Sequence, residues 1–210
     1  MNTQSILFNS IGGLALFLYG MKNLSEGLQQ LAGQRLRNSI RAMTSNHIKG
    51  LLVGAGVTMI VQSSSVTTIM MVGLINAGVM SFKQSVGVLF GANIGTTITA
   101  QIIAFKITKY ALPMAATGLG LNTLARNPKL KFTGQVILSL SFIFLGLGYM
   151  KDAFAPLKHS QEVMQFTASL SHHPVLAIIC GVVLTVIVQC SSASIGITIV
   201  MASTGLIDFQ

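Results

Sequence analysis

The chain has 210 residues, 51% of them hydrophobic and only 8% charged, with a mean hydropathy of +0.72. An ordinary soluble domain carries about 25% charged residues, so this composition excludes a soluble protein and fits a chain embedded in a membrane. The net charge of +9 does not mark nucleic-acid binding: Arg35, Arg37, Arg41, Lys49, Lys106, Lys109, Arg126, Lys129 and Lys131 lie between apolar runs, where charges set topology, and no basic run interleaves with aromatics.

Ile6–Met21 predicts a first, short membrane helix ending at Lys22. No basic stretch precedes it, which argues against a cleaved signal peptide. Lys22–Lys49 is a polar connector. Leu24, Leu28, Leu31 and Leu36 fall near one helical face, predicting an interfacial amphipathic helix. Gly50–Phe82 then carries no charge over 33 residues. As one helix it would measure roughly 50 Å against a hydrocarbon core of about 30 Å, yet two spans need about 40 residues. The mismatch predicts a broken helix or re-entrant hairpin, with Gln62-Ser63-Ser64-Ser65 near its midpoint. Gln84–Phe105 is a further charge-free run holding "GANIGTT" (Gly91–Thr97), and Tyr110–Ala125 and Phe132–Met150 are two more candidate spans, the first short and interrupted by Pro113. Lys151–His173 is a second polar connector. Pro174–Ile207 is again uncharged and too long for one span, with Gln189-Cys190-Ser191-Ser192 near its middle. Cys180 and Cys190 share that run and read as small buried residues rather than a disulfide or metal pair.

The two long uncharged runs are related. At an offset of 127 residues, "GAGVTMIVQSSS" (Gly54–Ser65) lies over "GVVLTVIVQCSS" (Gly181–Ser192), matching at seven of twelve positions. Upstream, "LFLYGMKNLSEGL" (Leu16–Leu28) lies over "LGLGYMKDAFAPL" (Leu145–Leu157). The order helix, connector, broken segment therefore occurs twice, as in duplicated transporters. The predicted domains are a first membrane repeat, 1–131, and a second, 132–210. The first connector has five basic residues and one acid, the second two of each, which puts the first on the cytoplasmic side. If Gly50–Phe82 does not cross, three crossings separate the connectors and the repeats are inverted; if it crosses, they are parallel. Inversion is the favoured reading, although it places Lys106 and Lys109 outside. The counterpart of "GANIGTT" falls near position 218, so the second repeat is expected to be incomplete and the chain a fragment of a longer protein.

Gln62, Ser63, Ser64, Ser65, Thr67 and Thr68 point around a whole helix, so they cannot all hide by bonding back to their own backbone. Some must face a polar cavity or ligand. Hydroxyls and free N–H groups at the start of a half-helix suit an oxyanion, which the positive end of the helix dipole also attracts. Unwound carbonyls and hydroxyl oxygens suit a dehydrated sodium ion. Gln189, Ser191, Ser192 and Ser194 repeat the set. Gly91, Asn93 and Gly95 fit a second break, with Thr96 and Thr97 at the helix start beyond it. The competing reading for each patch is tight helix packing by small residues. No catalytic set is present: the serines have no Asp or Glu at membrane depth, and His47, His159, His172 and His173 read as solvated or interfacial. The expectation is a non-enzyme without cofactor, without a carboxylate proton relay, and with a passive anion channel or a non-transporting subunit as the rival readings.

"QSSSVTT" followed by "GANIGTT", with a second "QCSSAS" one repeat later, resembles the type II sodium–phosphate cotransporter family, its bacterial members above all. The resemblance implies an all-α polytopic membrane protein of inverted repeats, with paired re-entrant hairpins around a central site. It implies sodium-coupled transport of inorganic phosphate across the bacterial inner (plasma) membrane. Phosphate, sodium and the lipid bilayer are the expected partners, with a homo-oligomer possible in principle. Gln62, Ser63, Ser64 and Ser65 match the first motif. Gln189, Ser191 and Ser192 match the second, sodium being expected near Ser64, Ser65, Ser191 and Ser192. Cys190 departs from the pattern and offers only a weak S–H donor. Bacterial relatives often carry a PhoU-like helical domain, of which nothing is seen in this sequence.

Overall fold

The computed structural model describes residues 3–42, 47–104 and 108–207, and side chains within 4–32, 48–104, 108–158, 160–170 and 173–207. The side chains of Arg35, Arg37, Arg41, His47, Lys106, His159 and His172 lie outside the described residues. Among those described there is no strand. The helices are α1 (Thr3–Ala42), α2 (His47–Val61), α3 (Ser64–Asn76), α4 (Phe82–Ala104), α5 (Ala111–Leu124), α6 (Pro128–Phe154), α7 (Gln161–His172), α8 (Pro174–Val188) and α9 (Ser191–Ser203). Stretches within Gln4–Ala32, Phe82–Ala104 and Pro128–Lys158 are long and apolar enough to cross a membrane. A fourth is counted if α7 and α8, bent by 108° at their junction, form one broken span. The chain is an all-α membrane protein.

Two expectations are corrected. The first connector is no separate interfacial helix: α1 continues through Lys22 to Ala42, because this polar stretch holds good helix formers and no proline. Tyr110–Ala125 is no full span. Its helix α5 has 14 residues, about 21 Å of rise.

One compact unit comprises Met21–Phe105 and Met114–Ser139. Its centre is the packing of α2 on α4. Hydrophobic exclusion from water gives little drive between helices in lipid, so close approach and dispersion must hold them. Three glycines allow that approach: a methyl at Gly54 would strike the Val88 carbonyl, one at Gly91 the Leu51 carbonyl, and one at Gly95 the Ala55 carbonyl. Val53, Val57, Val61, Met71, Met80 and Val88 close over this contact. Gly118 of α5 and Gly134 of α6 meet in the same backbone-to-backbone way.

The other unit comprises Met1–Gly20, Lys106–Pro113 and Leu140–Gln210. Here Gly13 of α1 and Gly146 of α6 lie against each other's carbonyls. Phe17, Ile143, Phe144 and Met150 are buried, and Gly196 of α9 rests on the Phe17 ring. Tyr19 and Phe142 pack with ring centroids 5.8 Å apart. α8 is apolar on every side and buries no residue, the pattern of a helix suited to lipid.

Candidate functional site

The chain breaks where the polar motifs predict. α2 stops at Val61 and α3 starts at Ser64, leaving Gln62 and Ser63 between them. Gln62 is left-handed, with φ 57°, a state that costs a non-glycine residue about 1–2 kcal/mol. Its own groups hold it there. The Gln62 N–H donates to the Thr58 carbonyl at 2.7 Å, and its Nε2 donates to the Met59 carbonyl. Its Oε1 accepts from Thr99 Oγ1 of α4 at 2.6 Å. Ser63 is extended (φ −148°, ψ 110°) and caps α3 by accepting from the Val66 N–H.

α3 folds back beside α2. Thr58 Oγ1 lies 3.0 Å from Thr67 Oγ1, and Thr67 donates to the Ser63 carbonyl at 3.1 Å. Two hydroxyls nine residues apart in the chain thus clasp the arms of a hairpin. Thr67 is fully buried and its proton is used internally, while the exposed Thr68 donates to the Ser64 carbonyl at 2.9 Å. Half-buried Ser64 and exposed Ser65 keep hydroxyls with no partner among the described residues.

The second hairpin repeats this construction. Gln189 has φ 56°, donates from its N–H to the Thr185 carbonyl at 2.8 Å, and donates from Nε2 to the Val186 carbonyl at 2.6 Å. Thr185 Oγ1 lies 3.0 Å from Ser194 Oγ, the counterpart of the Thr58–Thr67 clasp at the same offset of 127 residues. Ser191 is exposed and Ser192 largely buried. The correspondence runs on to the far end of each hairpin, where Gly78 and Gly205 take φ 68° and 73° after α3 and α9.

The halves differ at the cap. Cys190 has Ser63's backbone geometry (φ −145°, ψ 110°) but makes no side-chain cap bond. Restoring a hydroxyl returns that bond, and N-caps are worth about 1 kcal/mol. Cys190→Ser is therefore expected to raise the thermal midpoint of the purified protein in detergent by a few degrees.

Neither α3 nor α9 has an acidic residue in its first turn to offset the positive end of the half-helix. Each break thus presents serine hydroxyls and unpaired N–H groups to an anion.

The expected second break at "GANIGTT" does not exist: α4 is continuous from Phe82 to Ala104. Gly91 and Gly95 are there for backbone contact with α2, the small-residue packing that was the competing reading. Thr96 and Thr97 sit mid-helix rather than at a helix start, bonded back to the carbonyls of Ala92 at 3.1 Å and Ile94 at 2.7 Å. Asn93 lies exposed on α4. Residues that shape the breaks but escaped the reading of the sequence are Thr58, Thr185 and Thr99, with Ser25, which donates to the Val61 carbonyl. Thr58 and Thr185 were identical positions of the repeat; Thr99 and Ser25 carried no signal beyond being hydroxyls in helices.

A profile described as Na+/Pi-cotransporter matches residues 16–152. The chain belongs to the Na+/Pi-cotransporter family. Among relatives, YqeW of Bacillus subtilis (strain 168), itself uncharacterised, is 30% identical over 205 residues, which are 96% of this chain and 66% of that protein. YjbB of Escherichia coli (strain K12), described as a candidate inorganic phosphate export protein, is 24% identical over 97% of this chain and 37% of its own length. Sodium-dependent phosphate transport protein 2A of Rattus norvegicus is 37% identical over 97 residues, 45% of this chain and 15% of that protein. The chain thus spans between about one seventh and two thirds of the length of these relatives. No solved structure matches it. A transporter family is not an enzyme class.

Proposed function

We propose that this chain is the phosphate-handling part of a membrane carrier that moves inorganic phosphate together with sodium across the bacterial inner membrane. The observation that carries the reading is the duplicated break, in which Ser64, Ser65, Ser191 and Ser192 stand at the starts of half-helices whose first turns hold no acid. Their hydroxyls and N–H groups bind the phosphate oxygens. Gln62, Ser63, Thr67, Thr68, Gln189 and Ser194 shape the breaks, and Asn93 is a further candidate contact. Sodium takes hydroxyl and carbonyl oxygens near Ser64, Ser65, Ser191 and Ser192. The two repeats, 1–131 and 132–210, each supply one such hairpin. Cotransport requires that sodium and phosphate raise each other's affinity by the same factor.

The test is uptake of labelled phosphate into proteoliposomes with and without an inward sodium gradient. Accumulation that needs the gradient is expected. A second reading, sodium-independent anion export, draws on the export description of the Escherichia coli relative, and flux indifferent to sodium would favour it. Absence of both flux and phosphate binding would leave a non-transporting membrane subunit.

A further inference from the structure

We propose that Ser25 and Gln29 of α1 are positioning residues that lock the first break and so set the phosphate affinity of its serines; the ligand named rests on the reading above.

The lock is built from the end of α2. A helix leaves its last carbonyls without partners, and here they are taken up from within the protein. The Thr58 carbonyl accepts from the Gln62 N–H and the Met59 carbonyl from Gln62 Nε2. The Val61 carbonyl accepts from Ser25 Oγ, a residue on another helix. That carbonyl belongs to the peptide joining Val61 to the left-handed Gln62, and a peptide is planar. Holding its oxygen fixes the plane from which Gln62, Ser63 and then Ser64 lead away.

A helical serine ordinarily turns its proton onto the carbonyl one turn back. Gln29, four residues along the same face, donates from Nε2 to Ser25 Oγ at 2.8 Å. This fills one acceptor position of the hydroxyl and helps hold the oxygen where its single proton meets Val61. Among the described residues the second hairpin has no such pair. The positions aligned with Ser25 and Gln29 in the Leu16–Leu28 repeat and just beyond it are Phe154 and Lys158, and no described side chain donates to the Val188 carbonyl. The lock is therefore a feature of one repeat, not of the duplicated motif.

Losing one hydrogen bond of ordinary net strength from a preorganised site weakens ligand binding about five-fold. In the full chain in proteoliposomes, Ser25→Ala is expected to raise the phosphate KM about five-fold at unchanged Vmax. Ser25→Thr, which keeps the hydroxyl, restores KM, and Gln29→Ala gives a smaller rise. A residue that only supports folding would instead lower Vmax, through fewer intact molecules, at wild-type KM; that result, or a failure of Ser25→Thr to restore KM, overturns the proposal. A second readout does not involve phosphate. With Cys180→Ala, Cys190→Ala and Ser65→Cys combined, the rate of thiol labelling by a small methanethiosulfonate reports on the break. Ser25→Ala is expected to change that rate several-fold. If the parent moves no phosphate but the labelling rate still changes, the ligand assignment fails and the lock stands. An unchanged labelling rate overturns the lock whatever the ligand.

Discussion

Replacing both Ser64 and Ser191 by alanine is expected to reduce phosphate uptake at limiting phosphate by roughly a hundred-fold or more. A hydrogen bond to a charged group is worth about 1.5–3 kcal/mol, or roughly ten- to hundred-fold in affinity. The serines lie on different hairpins and bond to no common residue, and the figure for the pair takes their effects as additive. Neither hydroxyl has a partner among the described residues, and neither residue caps its helix: Ser63 and Cys190 hold those positions. The double variant should therefore reach the membrane in normal amounts, which immunoblotting of membrane fractions checks. Initial rates of labelled phosphate uptake at several phosphate concentrations measure the effect. Each single variant should show roughly a tenth of the wild-type rate when phosphate is scarce. Wild-type rates in the double variant would remove both serines from phosphate binding.

Gly91→Val should eliminate the folded protein. A β-carbon at Gly91 would overlap the Leu51 carbonyl and crowd the Ala55 nitrogen, both backbone atoms that no rotamer change can move aside. α2 and α4 would have to separate along their contact, opening the core of Val53, Val57 and Val88. It would also pull Thr99 away from the Gln62 side chain to which it donates. Overpacking ordinarily costs about 1–3 kcal/mol. A clash that prises apart two backbones belongs to the rare class above about 4 kcal/mol, a large share of a typical domain's stability. The control is Gly56→Val on α2, where an added methyl meets nothing within 4 Å. Fluorescence-detected size exclusion in detergent should show a monodisperse peak for Gly56→Val and aggregate for Gly91→Val. A sharp peak for Gly91→Val would mean that α2 and α4 do not meet at this glycine.

Both breaks were legible because they rest on a mismatch of lengths that any sequence displays: too many uncharged residues for one span and too few for two. The repeat supplied the second break independently, since Gln62 and Gln189 align and take φ values of 57° and 56°. The reading failed at "GANIGTT" because glycine serves two opposed ends, loosening a backbone or letting two backbones touch. Composition does not separate them, whereas the carbonyls of Leu51 and Ala55 facing Gly91 and Gly95 do. The long α1 was missed for a related reason. Polarity marks the end of an apolar run and not of a helix, because helical propensity tracks side-chain entropy and backbone competition rather than hydropathy. Long-range bonds such as Thr99 to Gln62, 37 residues apart, leave no trace in local pattern. Of the candidate residues, those flanking the breaks were found by chemistry, and those holding the breaks in shape needed coordinates.

The paired hydroxyls between the arms of each hairpin bear on how a transport cycle can proceed. Thr58 meets Thr67, and Thr185 meets Ser194, one turn to either side of the bend. Spreading the arms forfeits that bond, whereas displacing the whole hairpin leaves it intact. If the chain works as the carrier proposed above, each bent segment is freight rather than hinge: it shifts as an intact V-shaped piece, with the pivots outside it.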